Sequence, residues 1–336
     1  MRILDTIENL PEAFRGSAVA IGNFDGVHKG HRAVIGEAGH VARASDIPWL
    51  VLTFEPHPSS VFAPHEEPFR LTPDAAKARY IGELGIDCLV VLPFDMEFSH
   101  RAAESFVTDV LVSGLGARHV ISGYDFMFGH GRRGNCELLL RLGAEMGFAF
   151  TSVSAEADAD GTTYSSSRIR KLLQDGDPRG AEAILGRHYA IQGVVQDGNK
   201  RGRTIGFPTA NVALGDHLRP AQGVYAIRAA VVSDDGDQAS LEWLNGIANF
   251  GNRPTFDGAD TLLEAHIFDF DEDLYGRPLR IEFVDYLRPE LKFNGIDDLK
   301  QQIATDAYQA RQILLETRPE PATAEILKLN KKRAFQ

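Results

Sequence analysis

Cysteine is nearly absent: Cys88 sits in an apolar run and Cys136 after a glycine-rich loop, and these two are all that 336 residues contain. With no metal-type spacing between them, a disulfide framework and a cysteine-held zinc are excluded, and both thiols are expected to be reduced. No segment approaches the roughly 18 consecutive apolar residues of a membrane-crossing helix. Met1 to Leu10 carries acidic residues and lacks the apolar core of an export signal. A soluble, cytoplasmic protein is the expectation. Cations are in deficit, 35 Lys plus Arg against 47 Asp plus Glu, for a net charge of −12. Broad, sequence-independent attraction to nucleic acid or an anionic membrane is therefore excluded, so any grip on phosphate must be local. Internal repeats and low-complexity tracts are missing. So is the Walker GxxxxGK[ST] string, which rules out a P-loop kinase.

What is present follows two rhythms. From Ala18 to about Leu173, short apolar runs (Ala18–Gly22, Trp49–Phe54, Cys88–Pro93, His119–Gly123 and Phe148–Val153) alternate with helical stretches. In one of these, Ala102, Phe106 and Val110, and likewise Val107 and Leu111, lie four apart and share a face. That alternation predicts a parallel sheet covered by helices, with ligands bound beyond the carboxyl ends of its strands. Around Leu172 to Arg187 the pattern breaks at Asp175-Gly176-Asp177-Pro178, which places a domain boundary near residue 185. The expected domains are 1–185 and 186–336. In the second, Ala190–Gln196, Gly223–Val232, Leu241–Phe250, Leu262–Phe268 and Leu279–Tyr286 read as strands of a small antiparallel barrel. Ile296, Leu299 and Ile303 then start a closing helix from Gly295 to roughly Thr317, and Leu327–Gln336 reads as a frayed tail.

Two stretches carry phosphate chemistry. Ala20 to His31 follows a strand and opens a helix; Gly22, Gly26 and Gly30 permit close backbone approach to an anion, with Asn23 and Asp25 between them. A helix N-terminus adds free N–H groups and the positive end of a dipole. His28 and His31, three apart, can face one side of the first turn, although a bare His-x-Gly-His reads equally well as two surface histidines. About half the chain later, Asn199 to Asn211 joins a basic glycine-rich loop (Lys200, Arg201, Arg203, Gly206) to Thr209 and Asn211. Their hydroxyl and carboxamide oxygens are hard ligands suited to the Mg²⁺ that accompanies ATP. Alone, Pro208-Thr209-Ala210-Asn211 would be an ordinary turn.

The string Gly22 to His31 is similar to that of bacterial FAD synthetases, members of the HxGH nucleotidyltransferase superfamily. Gly123 to Gly129 resembles the family's GxDFxFG element, and Ser165 to Arg170 its SSTxIR element, with Ser167 in place of the usual Thr. Met127 stands where a polar or basic residue is common. By resemblance, Ser166, Ser167, Arg168 and Arg170 hold ATP phosphates and Asp125 lies in the nucleotide and flavin cleft, whereas Arg168 and Arg170 taken alone read as a solvated helix face. Thr53 to Pro58 also resembles a family element, with Glu55 and His57 unassigned. The Thr209-Asn211 region resembles the riboflavin kinase module. There Glu264 matches the catalytic glutamate, Gly246 to Thr255 is similar without an assigned role, and Leu287 to Phe293 leads into the closing helix, with Phe293 expected over the flavin ring. Alternation alone would leave Glu264 facing solvent.

The chain from Ile21 to Tyr308 thus resembles the bifunctional bacterial riboflavin kinase/FAD synthetases. The resemblance implies a Rossmann-like nucleotidyltransferase domain before a kinase barrel. ATP, riboflavin, FMN and FAD are then the expected partners, with His28 and His31 as electrostatic stabilisers and Glu264 as proton acceptor. A nucleotidyltransferase of other specificity with an appended barrel gives Thr209, Asn211 and Glu264 no reason to coexist. A flavin-binding or nucleic-acid-binding regulator does not account for the intact His28, His31 and Glu264 or for the acidic balance. Oligomeric state is not legible.

Overall fold

The computed structural model describes residues 1–63, 67–197, 206–232, 241–255 and 258–317, with backbone alone at 252–255 and 258–261. Lys200 and Arg203, and the expected tail, lie outside the described residues. The chain divides into two compact units, Met1–Ser166 and Ser167–Gln336, so that the helices Ser166–Gln174 and Pro178–Leu185 group with the second.

In the first unit six strands form one parallel sheet: β1 (Arg2–Leu4), β2 (Ala18–Ile21), β3 (Trp49–Glu55), β4 (Cys88–Pro93), β5 (His119–Gly123) and β6 (Ala149–Val153), in the order β1-β4-β3-β2-β5-β6. Strands buried on both faces read as continuous apolar runs, and β2 is buried throughout. Val19 and Ile21 join Leu50, Leu52, Val90 and Leu111 in one core. Ala18 and Ala20 join Val51, Leu89, Ile121, Val34 and Ile35 in the other. From β2 the chain builds β3 and β4 to one side, then returns to place β5 on the other. The loops after β2 and β5 therefore diverge at the carboxyl edge, where such sheets open a crevice.

The stretch read as an α-helix around Phe106 is wound more loosely. After one α-turn, Phe106–Gly114 follows with bonds that reach five residues back, as in Leu115 N–H to Val110 O. Phe106, Val107, Val110 and Leu111 are all buried by it, so the spacing identified the apolar face and not the winding.

The second unit is a closed antiparallel barrel of β7 (Tyr189–Gln196), β8 (Ala210–Val212), β9 (Gly223–Val231), β10 (Leu244–Thr255), β11 (Gly258–Ile267) and β12 (Pro278–Arg288), in the order β10-β11-β8-β7-β12-β9. The closing helix runs Ile296–Glu316 and packs Ala310 and Leu314 against Val224, Ala226, Ile247 and Val284 on the outer face of the barrel. Arg228, almost wholly buried, donates to the carbonyls of Leu314 and Thr317 at the helix's end, where a cation meets the negative end of the dipole.

Candidate active sites

Residues 22–28 turn the chain from β2 into the helix Lys29–Ser45. Phe24, Gly26 and Val27 all have positive φ, 50°, 92° and 40°. Glycine takes that region freely and a β-branched residue does not, so the turn stores roughly 1–3 kcal/mol at each non-glycine position. Hydrogen bonds around Asp25 hold it. The buried Asp25 carboxylate accepts the N–H groups of Leu71 and Thr72, each at 3.0 Å, and Thr72 Oγ1 accepts the Gly26 N–H at 2.8 Å. Ser166 Oγ donates to the Asp25 carbonyl at 2.8 Å. Expected among the phosphate contacts, Asp25 turns its carboxylate inward and anchors the loop instead.

His28 caps the helix: its Nδ1 accepts the His31 N–H at 3.3 Å, which leaves Nε2 to carry the proton of the neutral ring. The two imidazoles are stacked, with centroids 3.6 Å apart and planes 20° off parallel. Gly30 makes room for this. A Cβ there would lie 3.2 Å from His28 Cε1 and 3.3 Å from Nδ1. Gly22 is needed on similar grounds, since its Cβ would meet the Phe24 ring at 2.9 Å, and Phe24 in turn packs edge-on against His31.

Behind this loop lies a buried charge cluster that sequence reasoning missed. Arg70 grips Glu55 through two nitrogens at 2.9 and 2.6 Å, and its Nε is 3.7 Å from the Asp25 carboxylate. Lys77, 1% exposed, pairs with Glu55 and also donates to the Asn23 carbonyl (3.3 Å), Thr53 Oγ1 (3.2 Å) and the Phe54 carbonyl (3.2 Å). Burial alone would raise the Glu55 carboxyl; the Arg70 hydrogen bond and the charges of Lys77 and Arg70 outweigh it and hold the group below its ordinary value. The previously unassigned Glu55 thus fastens the loop of Asn23 and Asp25 to the end of β3. Its partners had one sequence signal: Lys77 precedes the buried Tyr80 and Ile81 at helical spacing, on the face where a lysine is out of place.

The pairing of Ile21 with Ser122 sets the ends of β2 and β5 side by side, so the loop carrying Asp125 leaves the same edge. Asp125 is exposed there. An aromatic wall, also unforeseen, joins this edge: Phe54, Phe94, Phe98, Phe106 and Phe128 form consecutive ring contacts 5.3–6.4 Å between centroids, and Phe126 stacks on Phe128 at 5.6 Å. Ser167, Arg168 and Arg170 follow Ser166 in the helix Ser166–Gln174, where both arginines are half-buried and flank the buried Ile169.

In the barrel, Glu264 of β11 stands directly opposite Asn211 of β8 and, on its other side, Asn249 of β10. Opposite residues of an antiparallel pair share a face, with Cβ atoms about 4.5–5.5 Å apart. Asn211 is 9% exposed, and its buried Oδ1 accepts no hydrogen bond among the described residues. An unsatisfied buried carbonyl oxygen is costly unless something else binds it, and a hard cation is a natural occupant. Thr209 precedes it, and His266 Nδ1 donates to the neighbouring Pro208 carbonyl at 2.8 Å, tying that loop to β11. Gly206, at φ 88°, turns the chain into this segment. Pro208, Thr209 and Ala210 also line a cleft of about 190 Å³ with Val195, Phe270 and Tyr275. Arg288 lies over the Phe293 ring and is held by Asp306 of the closing helix at 2.9 and 2.7 Å.

Comparison with known proteins follows the same division. Residues 10–168 match the family model of FAD synthetase, and residues 185–314 that of riboflavin kinase. The chain is 39% identical to the bifunctional riboflavin kinase/FMN adenylyltransferase of Escherichia coli K12, over 95% of this chain and all of that one. This chain belongs to that family. It is equally 39% identical to the Bacillus subtilis member, over 88% of this chain and 91% of that one. A crystal structure described as a macrolide-efflux protein from Streptococcus pneumoniae superposes with a TM-score of 0.80 at 29% identity, covering 92% of this chain and 98% of that one. Among the described residues here, no helix is long and apolar enough to cross a membrane.

Proposed function

We propose that the two units carry out consecutive reactions: the barrel phosphorylates riboflavin to FMN, and the parallel-sheet unit transfers the adenylyl group of ATP to FMN, giving FAD and pyrophosphate. Residues 1–185 are assigned to the second reaction and 186–336 to the first. The observation that carries the reading is the adjacency of Glu264 to Asn211, a carboxylate beside a buried oxygen that accepts no hydrogen bond among the described residues.

In the barrel, Glu264 takes the proton of the riboflavin 5′-hydroxyl. That oxygen bonds to the γ-phosphorus of ATP as the bond to the β-γ bridging oxygen breaks, and ADP leaves. Thr209 and Asn211 would hold Mg²⁺; hard oxygens suit it, and Asn211 Oδ1 accepts no hydrogen bond among the described residues. Bound with ATP, the ion neutralises phosphate charge. The cleft beside Thr209 would seat the nucleoside, and Lys200, Arg203 and Gly206 would contact the phosphates. Phe293 would cover the flavin ring.

In the sheet unit, a phosphate oxygen of FMN attacks the α-phosphorus of a second ATP and pyrophosphate departs, without a protein nucleophile. Charge grows on the transferring group, so prepositioned donors do most of the work. The stacked imidazoles of His28 and His31 and the backbone of Gly22, Asn23 and Gly30 would supply them, with Ser166, Ser167, Arg168 and Arg170 on the triphosphate. Asp25 and Glu55 would keep the loop in shape, and Asp125 with the aromatic wall would receive the flavin. A cytoplasmic location suits enzymes that use ATP.

Chromatography of riboflavin, FMN and FAD after incubation with Mg·ATP tests the division. His31→Ala should stop FAD formation while FMN accumulates, and Glu264→Ala should stop FMN formation while supplied FMN is still adenylylated. Equal loss of both products in both folded variants would overturn separate sites.

A further inference from the structure

We infer that Asn249, oriented by Glu290, binds the polyol chain of riboflavin and delivers its terminal hydroxyl to Glu264. The inference rests on the kinase reading of Glu264 above and adds the side from which the alcohol approaches.

Three adjacent strands set the geometry. Asn249, Glu264 and Asn211 form one row across β10, β11 and β8, with strands about 4.8 Å apart. Glu264 is the middle member. With the ATP phosphates held on the Asn211 side, the acceptor alcohol has the opposite side left to it, and Asn249 is the polar residue there.

The orientation of Asn249 follows from its partner. Its Nδ2 lies 3.1 Å from Glu290 Oε1. A carboxylate only accepts, so the amide nitrogen must face Glu290, and the amide oxygen is directed away from it as an acceptor. A carbonyl oxygen beside a carboxylate suits a chain of hydroxyls that ends in the one to be deprotonated. Two further features support the contact. Gly251 lies two residues along β10, on the same face, and a Cβ there would stand 2.0 Å from Glu290 Oε1, so a glycine is required for Glu290 to reach Asn249. The segment that carries Glu290 is fastened by the ion pair of Arg288 with Asp306 and also carries Phe293. One short stretch thereby serves ring and chain together. Asn249 touches substrate; Glu290 acts through Asn249 and is a positioning residue.

Steady-state kinase kinetics on the full chain, with riboflavin varied at saturating Mg·ATP, test this, and adenylylation of supplied FMN monitors folding. Asn249→Ala should raise the KM for riboflavin by about tenfold, the worth of one hydrogen bond, and leave the KM for ATP within about twofold. Glu290→Ala should match it. Glu290→Gln, which retains an acceptor oxygen, should recover to within about threefold of the parent, a rescue that a purely structural role for the charge would not give. Wild-type riboflavin kinetics in folded Asn249→Ala, or a Glu290→Gln variant as impaired as Glu290→Ala, would overturn the inference. Glu264→Gln run in parallel separates the two levels. If it keeps kinase activity, the reading of Glu264 falls and this inference with it; if it is inactive while Asn249→Ala is unaffected, only the role of Asn249 falls.

Discussion

Replacing Lys77 with methionine puts the charge cluster behind the first loop to a quantitative test. The substitution keeps the length of an almost wholly buried side chain and removes its ammonium, which serves Glu55, Asn23, Thr53 and Phe54 at once. Breaking a buried ion pair by removing one partner costs about 3–5 kcal/mol. Glu55 keeps its two-pronged bond to Arg70, so the low end applies, about 3 kcal/mol. With a urea dependence near 2 kcal/mol per molar, the unfolding midpoint of the first unit should fall by about 1.5 M. The chain's two tryptophans allow each unit to be followed by itself. Trp49 lies in β3 with its indole N–H on the Ile35 carbonyl, and Trp243 stacks with Arg280 in the barrel unit. In a Trp243→Phe background the fluorescence of Trp49 reports the first unit; Trp49→Phe gives the converse. Lys77→Met should lower the Trp49 transition and leave that of Trp243 in place. Because the Asn23 carbonyl loses its clamp, FAD formation should fall about a hundredfold even in the absence of urea, whereas FMN formation is retained. An unmoved Trp49 transition would show that the cluster contributes nothing, and would refute the argument that it holds the loop.

Gly30→Ala should separate stability from activity. Alanine is the better helix former by about 1 kcal/mol, so the melting temperature should hold or rise, yet the new methyl presses on the His28 ring. Adenylylation of supplied FMN should fall at least about tenfold, while a rate equal to the parent's would mean that the stacked histidines do not need their present position. Acid should weaken the first unit through Glu55. Its folded pKa lies below the ordinary 4.5, so its contribution is in place above 4.5 and disappears as the pH falls through that value and on through the lowered one. Urea titrations of Trp49 fluorescence from pH 7 to pH 3 should show this loss, and Glu55→Gln should flatten it.

The fold was legible where burial is two-sided or alternation is long. All five expected strands of the sheet are present within a residue or two, since β2 through β6 are written as compact apolar runs. Two strands were not legible. β1 has three residues, two of them exposed, and β8 consists of Ala210–Val212, too short for a period and already read as part of a ligand loop. The β10–β11 hairpin runs on past the expected ends to Thr255 and Gly258 because Asn, Arg and Pro there carry no strand signal in the sequence. Site residues divide in a similar way. His28, His31, Thr209, Asn211 and Glu264 stand out by their motifs, but the register that sets Glu264 between Asn211 and Asn249 is a long-range property that no local pattern contains. Arg70 and Lys77 were missed because a cation in a sequence is read by default as solvated; only their burial and their partners reveal the work they do.

The two candidate sites hold their polar groups in place by opposite means, and this predicts different sensitivities. In the sheet unit the proposed donors sit on a turn with positive φ at Phe24 and Val27, a conformation that the local chain resists. It has to be held from outside, by Asp25 on residues 71–72 and by Lys77 on Asn23, so substitutions behind the loop are felt at the site. In the barrel the corresponding groups stand on neighbouring strands, and the ladder that forms the barrel also fixes their spacing. Asn211, Glu264 and Asn249 need no separate scaffold beyond the pairings Asn211 to Glu264 and Glu264 to Asn249. Substitutions one shell removed should therefore be costly for adenylyl transfer and mild for phosphorylation, unless, like Glu290, they orient a side chain that the ladder leaves free to turn.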